Sequence, residues 1–148
     1  MQVQDIMTQQ VLTVRPETTV REVAEILVSH KISGVPVVDA DNKLVGIVSE
    51  GDLMSKEILP EPPDALCILG AVIYYNGLRE FRDAFQHMAA NTADALMTKK
   101  VVTVKADADV SDVARIMRDK HIKRVPVLDD DGHLIGIVSR QDIVKMLL

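Results

Sequence analysis

Shifted against itself by 90 residues, the chain aligns Met7–Ser55 with Met97–Lys145 without a gap. About 21 of roughly fifty positions are then identical, where chance gives about three, and most other pairs exchange like for like. Such a chain is confined to folds that use one unit twice. Units of about 50 residues are too small for a secure core alone, so the two are expected to pack on each other. The repeat divides the chain into a first unit at 1–55, an insert at 56–92 and a second unit at 93–148.

Both units follow one plan. A short strand (VLTV, VVTV) precedes a helix start, where Thr19 with Glu22, and Asp109 with Asp112, have capping-box spacing. Val20, Val23, Ala24 and Leu27, matched by Val110, Val113, Ala114 and Met117, fall at i, i+3, i+4, i+7, so each helix buries one face. Val35-Pro36-Val37-Val38 and Val125-Pro126-Val127-Leu128 then lead through DADNK or DDDGH into LVGIV or LIGIV, a hairpin with a four- or five-residue loop. Pro36 and Pro126 cannot donate to a ladder and are expected at strand starts. A second helix begins at Ser49 and Ser139. The fold class is therefore α/β, strand-helix-strand-strand-helix twice, the copies related by a pseudo-twofold.

The insert is expected to be helical. ILPEPPD breaks any helix, and LREFRDAFQHMAA then sets Leu78, Phe81, Phe85 and Met88 on one stripe, suited to packing on the repeats or on a sister chain. Its apolar run, Ala65 to Tyr75, is shorter than the about 20 residues a membrane helix needs. Cys67 lies in that run, where a buried inert thiol is expected, and a lone cysteine allows no intrachain disulfide. MQVQDIMTQQ has no basic stretch followed by an apolar run, so no signal peptide is expected and the default location is the cytoplasm.

Chemistry concentrates in a heptad that occurs twice, GIVSEGD at 46–52 and GIVSRQD at 136–142. Ser49 and Ser139 are natural N-caps with Asp52 and Asp142 at N3, and capping alone accounts for both pairs. The same geometry also suits a ligand: a helix start offers N–H groups and a hydroxyl to phosphate, and a carboxylate accepts from both hydroxyls of a ribose.

The ordered set M-T, V-x-T-V, helix, V-P-V-h-D and L-h-G-I-V-S-x-x-D resembles the CBS domain, named for cystathionine beta-synthase, in both units. The stretch between them resembles inserts of stand-alone bacterial two-CBS proteins. The resemblance implies a Bateman module, a regulatory pair that binds AMP, ADP, ATP or S-adenosylmethionine in clefts between the copies and pairs into a homodimer. It places the ribose-holding carboxylate on Asp52 and Asp142 and the helix-start hydroxyl on Ser49 and Ser139. Around the base it places Thr8 and Leu12, or Thr98 and Val102, with the segments before each proline: Ile32, Ser33, Gly34 and Pro36, or Ile122, Lys123, Arg124 and Pro126.

The copies diverge in charge. Gly34 faces Arg124 in the alignment, Glu50 faces Arg140, and Lys120, His121 and Lys123 thicken the second patch. In the family these positions often carry basic residues toward phosphate, and each charged hydrogen bond is worth about 1.5 to 3 kcal/mol. The expectation is one phosphate-bearing pocket on the second copy (Thr98, Val102, Ile122, Lys123, Arg124, Pro126, Ser139, Arg140, Asp142). A weaker one is expected on the first (Thr8, Leu12, Ile32, Ser33, Gly34, Pro36, Ser49, Asp52), with Arg124 able to serve either.

Composition narrows the function classes. A net charge of -5 argues against a nucleic-acid backbone binder, and with no Trp and only four aromatic side chains a base would be gripped by aliphatic walls. His30, His87, His121 and His133 show no HxxxH or CxxC company, and neither phosphate-loop nor dinucleotide fingerprint occurs. No metal, catalytic residue, required cofactor or membrane contact is expected. With these exclusions, what the resemblance implies is an adenine-nucleotide-binding regulatory module with an unidentified protein partner. Its rivals are an interaction module that has lost its ligand, an S-adenosylmethionine-type binder, and an enzyme with a cryptic site.

Overall fold

Thr19 starts the first helix as its spacing predicts. Its N–H donates to Glu22 at 2.9 Å and its hydroxyl accepts from the Glu22 N–H at 3.2 Å, closing the capping box of α1 (Val20–Ser29). In the computed structural model, which describes all 148 residues, α1 leads into an antiparallel hairpin of β1 (Gly34–Val38) and β2 (Leu44–Ser49), then into α2 (Glu50–Met54). The insert holds β3 (Asp64–Ile68), β4 (Ala71–Asn76) and α3 (Leu78–Ala89). A short α4 (Ala93–Leu96) opens the second repeat, followed by β5 (Val104–Lys105), α5 (Val110–Asp119), β6 (Arg124–Leu128), β7 (Leu134–Ser139) and α6 (Arg140–Lys145). The mixed α/β plan, used twice, is the one expected. No helix is long and apolar enough to cross a membrane.

Three local expectations change. The leading strands shrink to a single bridge of Val14 with Val37 and to the two residues of β5. Pro36 sits in the middle of β1, not at its start. It is tolerated because its carbonyl accepts from Val14 N–H, so its N–H side faces away from β2 and the hairpin ladder loses nothing. Asp109 caps α5 through the Ser111 N–H at 2.8 Å, while Asp112 pairs with Arg115 at 2.9 Å and does not reach back.

Two hydrophobic cores form, and each borrows from the opposite repeat. The first joins Val23, Leu27, Val35, Val37 and Val48 to Ala90, Ala93 and Leu96, and the second joins Val113, Met117, Val125, Val127 and Val138 to Val3. Backbone hydrogen bonds fix the exchange. Val3 and Gln4 donate to Ala108 and Ala106, while Ala93 and Asp94 donate to Thr18 and Pro16. Thr8 exchanges two bonds with Ile137, and Thr98 exchanges two with Ile47. The segment that leads into each repeat therefore lies on the other one.

The insert is only partly helical. Its apolar run folds as the β3–β4 hairpin, joined at Leu69 and Gly70 with φ of 51° and 82°, the both-positive pattern of a type I′ turn. Every residue of both strands is exposed, which overturns the buried setting expected for Cys67: the hairpin stands off both cores and carries its thiol to the surface. The α3 stripe is likewise unburied. Phe81 and Phe85 stack on each other at 6.4 Å, and Lys56 ties the end of the helix down through the Met88 carbonyl at 3.0 Å and that of Ala90.

Candidate functional site

Both heptads form their capping boxes. Asp52 Oδ2 accepts from Ser49 N–H at 2.8 Å and Oγ at 3.2 Å; Asp142 Oδ2 accepts from Ser139 N–H at 2.8 Å and Oγ at 2.7 Å. Capping occupies one carboxylate oxygen of each pair and orients the other. The helices that follow have five and six residues, too short for a macrodipole to draw an anion, so the helix-start N–H groups contribute little.

The pairing of Thr98 with Ile47, and of Thr8 with Ile137, builds two clefts that each cross the repeats. The first, about 340 Å³, sets Ile47, Ser49, Glu50 and Asp52 against Thr98, Val102, Ile122, Lys123 and Arg124, with Lys100 and His121 at its rim. The second, about 260 Å³, sets Ile137, Ser139 and Gln141 against Thr8, Leu12, Ile32, Gly34 and Pro36, with Lys31. Ser33 and Arg124 line both. The cavities therefore do not follow the expected grouping by repeat: Ser49 and Asp52 share one with Thr98, Val102, Ile122, Lys123 and Arg124, and Ser139 shares the other with Thr8, Leu12, Ile32, Ser33, Gly34 and Pro36. The exchanged leading segments are the cause. Pro126, Arg140 and Asp142 line neither cleft; Pro126 is buried in β6, and Arg140 donates Nε to the Ile122 carbonyl at 3.0 Å.

This crossing reverses the charge reading. The basic run expected to serve GIVSRQD faces GIVSEGD: Lys100, His121, Lys123 and Arg124 share the first cleft with Glu50 and Asp52, whereas the second has only Lys31 and the shared Arg124. Arg124 is half-buried, its Nη2 donating to Ser33 Oγ of the other repeat. Burial holds its pKa below the ordinary arginine range, opposed by attraction to Glu50 and then Asp52, and it remains a cation at neutral pH. A Cβ at Gly34 would land on this guanidinium. Gly34 is therefore not a lost cation but the space that Arg124 fills. The signal was present in the sequence, since positions 34 and 124 are equivalent in the repeat and meet across the pseudo-twofold.

One cluster of possible metal ligands has no spacing signature in the sequence. Ligand atoms of Asp129, Asp131 and His133 lie within 4.8 Å of one another. Asp129 accepts from the N–H groups of Asp131 at 3.0 Å and His133 at 2.8 Å. Asp39 does the same with Asp41 at 2.9 Å and Lys43 at 3.0 Å, where no histidine stands, so the cluster is explained as a hairpin turn.

The comparisons with known proteins agree with this architecture. The CBS domain family matches residues 3–58 and again 93–148. Protein MJ1426 of Methanocaldococcus jannaschii is 34% identical over the whole chain and 92% of its own length. The chloroplastic CBSX2 of Arabidopsis thaliana is 31% identical, and the chain spans 62% of it. The crystal structure of CBSX2 in complex with AMP superposes with a TM-score of 0.82 at 31% identity, over 99% of this chain and 95% of that one. The CBS domain pair of MJ0100, solved with 5-methylthioadenosine and S-adenosyl-L-methionine, gives 0.73 at 28% identity, over 99% and 95%. Two repeats, two crossed clefts and a family match on each copy lead to one conclusion: the chain belongs to the CBS domain family, as a tandem CBS pair.

Proposed function

We propose that this CBS pair is a regulatory module, not an enzyme, that binds an adenine nucleotide and signals by a change of shape or of partner. The observation that carries the reading is the first cleft, where the crossing brings one anchored carboxylate, a group of cations and aliphatic walls into one cavity. Asp52, held through Oδ2 by Ser49, has Oδ1 free for ribose hydroxyls. Lys100, Lys123 and Arg124 match phosphate, and Ile47, Val102 and Ile122 provide apolar contact for a base. AMP in CBSX2 and adenosyl compounds in MJ0100 support this ligand class. AMP, ADP and ATP are favoured over S-adenosylmethionine because the first cleft holds more cations than carboxylates. A signal then requires that the ligand prefer one of two arrangements, since equal affinity shifts nothing.

Calorimetry and thermal melts test it. A nucleotide at 100 times its Kd adds about 2.7 kcal/mol of stability. Asp52→Ala is expected to weaken AMP about ten- to a hundredfold while Asp142→Ala, which lines neither cleft, leaves it within about threefold, the loss of one or two charged hydrogen bonds setting the scale. An interaction module without ligand is the second reading, favoured by Glu50 at the phosphate-facing wall; no stabilisation by any adenosine compound selects it. The module is further proposed to be cytoplasmic and to pair into a homodimer, the pairing supported by the exposed apolar faces of the insert.

A further inference from the structure

One hydrogen bond joins the two residues that the clefts have in common. Ser33 and Arg124 line both cavities, come from opposite repeats, and join through Nη2 and Oγ. A side chain at Gly34 would meet Arg124 Cζ at 2.5 Å and Nε at 3.0 Å, so it would displace the guanidinium from its present position. Glu50 and Asp52, the two carboxylates of the first cleft, attract Arg124 from one side only. The second cleft has no lining carboxylate, and Lys31 is its only other lining cation. Arg124 is therefore the one cation that the two clefts share.

We infer that Arg124 makes the two clefts compete for phosphate, so that a nucleotide in one cleft claims the guanidinium and leaves the other suited to an unphosphorylated adenosyl ligand. The inference rests on the reading of the clefts as adenosine sites. A phosphate that draws Arg124 to itself breaks the bond to Ser33 and takes the shared donor from the neighbouring cleft. A neutral adenosyl compound makes no such demand. One nucleotide plus one nucleoside per chain is then the filled state, and the module reads the phosphorylation state of its ligand pool by which pair it holds.

Isothermal titration of the full chain with AMP and with adenosine separates this from simple asymmetry. Val102 lines the first cleft alone, so Val102→Trp fills that cleft and leaves its charges in place. In the wild type, adenosine is expected to bind in two steps set apart by the ribose contact of Asp52, and the two AMP steps are expected to lie at least about tenfold further apart than those of adenosine, the scale of one charged hydrogen bond. In Val102→Trp, the remaining AMP site is expected to be about tenfold tighter than the second step of the wild type, and adding Arg124→Ala is expected to abolish that gain. Should Val102→Trp fail to fold by thermal melt, Thr98→Trp blocks the same cleft. Equal AMP affinity at the second cleft with the first open or blocked overturns the competition, as does a blocked variant that binds adenosine but no AMP. Absence of both adenosine and AMP binding in the wild type overturns instead the functional reading beneath it.

Discussion

Gly46 and Gly136, the first residues of the two heptads, decide how closely the exchanged segments approach. A Cβ on Gly46 would meet Met97 Cγ at 2.7 Å and the Thr98 carbonyl at 3.0 Å; on Gly136 it would meet Met7 Cγ at 3.0 Å and the Thr8 carbonyl at 3.3 Å. Methionine can move aside, but a carbonyl fixed in a bridge cannot. Gly46→Ala is therefore expected to destabilise by about 1–3 kcal/mol and Gly136→Ala by less, a ranking that urea melts can read. At this scale the sequence was legible in part. Asp52, Ser49, Arg124 and Gly34 all stand out, Arg124 as able to serve either cleft, yet the walls are grouped by copy where the cavities cross the copies. A repeat shows which positions are equivalent, not which copy supplies the facing wall, and the reversal of the charge reading follows from that one ambiguity.

Caps and turns decide where the elements begin. Thr19→Ala removes the hydroxyl half of the α1 capping box, leaves the residue-19 N–H donating to Glu22, and is expected to cost about 1 kcal/mol in a chemical melt. Four carboxylates at such places sit below the ordinary carboxylate range: Glu22 through the Thr19 N–H, Asp39 through the Lys43 N–H, Asp109 through the Ser111 hydroxyl and N–H, and Asp129 through the His133 N–H. A pKa depressed in the folded state adds stability that is complete above the unfolded value and is lost as pH falls through the folded one. Stability is thus expected to hold from neutrality to about pH 5 and to fall below about pH 4, and Asp39→Asn with Asp129→Asn should flatten that fall. The helices and paired strands were legible because 3.6- and 2-residue periods survive in any context. The insert hairpin was not: Leu69-Gly70 lacks the Asn-Gly or Asp-Gly signal, and an uninterrupted apolar run shows no alternation to reveal a strand.

For the whole molecule, the insert and the exchanged segments matter most. A two-stranded hairpin exposed on all sides is marginal in water, and this one presents Leu66, Ile68, Val72, Ile73, Tyr74 and Tyr75. If it forms the contact of the proposed homodimer, Ile73→Asp with Tyr75→Asp is expected to give a monomer by sedimentation, with melting otherwise unchanged. Leu96 reaches from the second leading segment into the first core and is 1% exposed, so Leu96→Ala is expected to destabilise by about 2–5 kcal/mol although it belongs by sequence to the other repeat.

The exchange of leading segments also fixes what a break in the backbone would produce. Cleavage between Leu59 and Pro63 leaves one fragment with most of the first core and the segment around Val3 that completes the second, and another with most of the second core and the α4 segment that completes the first. Neither fragment closes its own core, yet each carries the piece the other lacks. The protein is in effect a heterodimer whose two subunits share a tether, and a nicked chain should reassemble on mixing its halves.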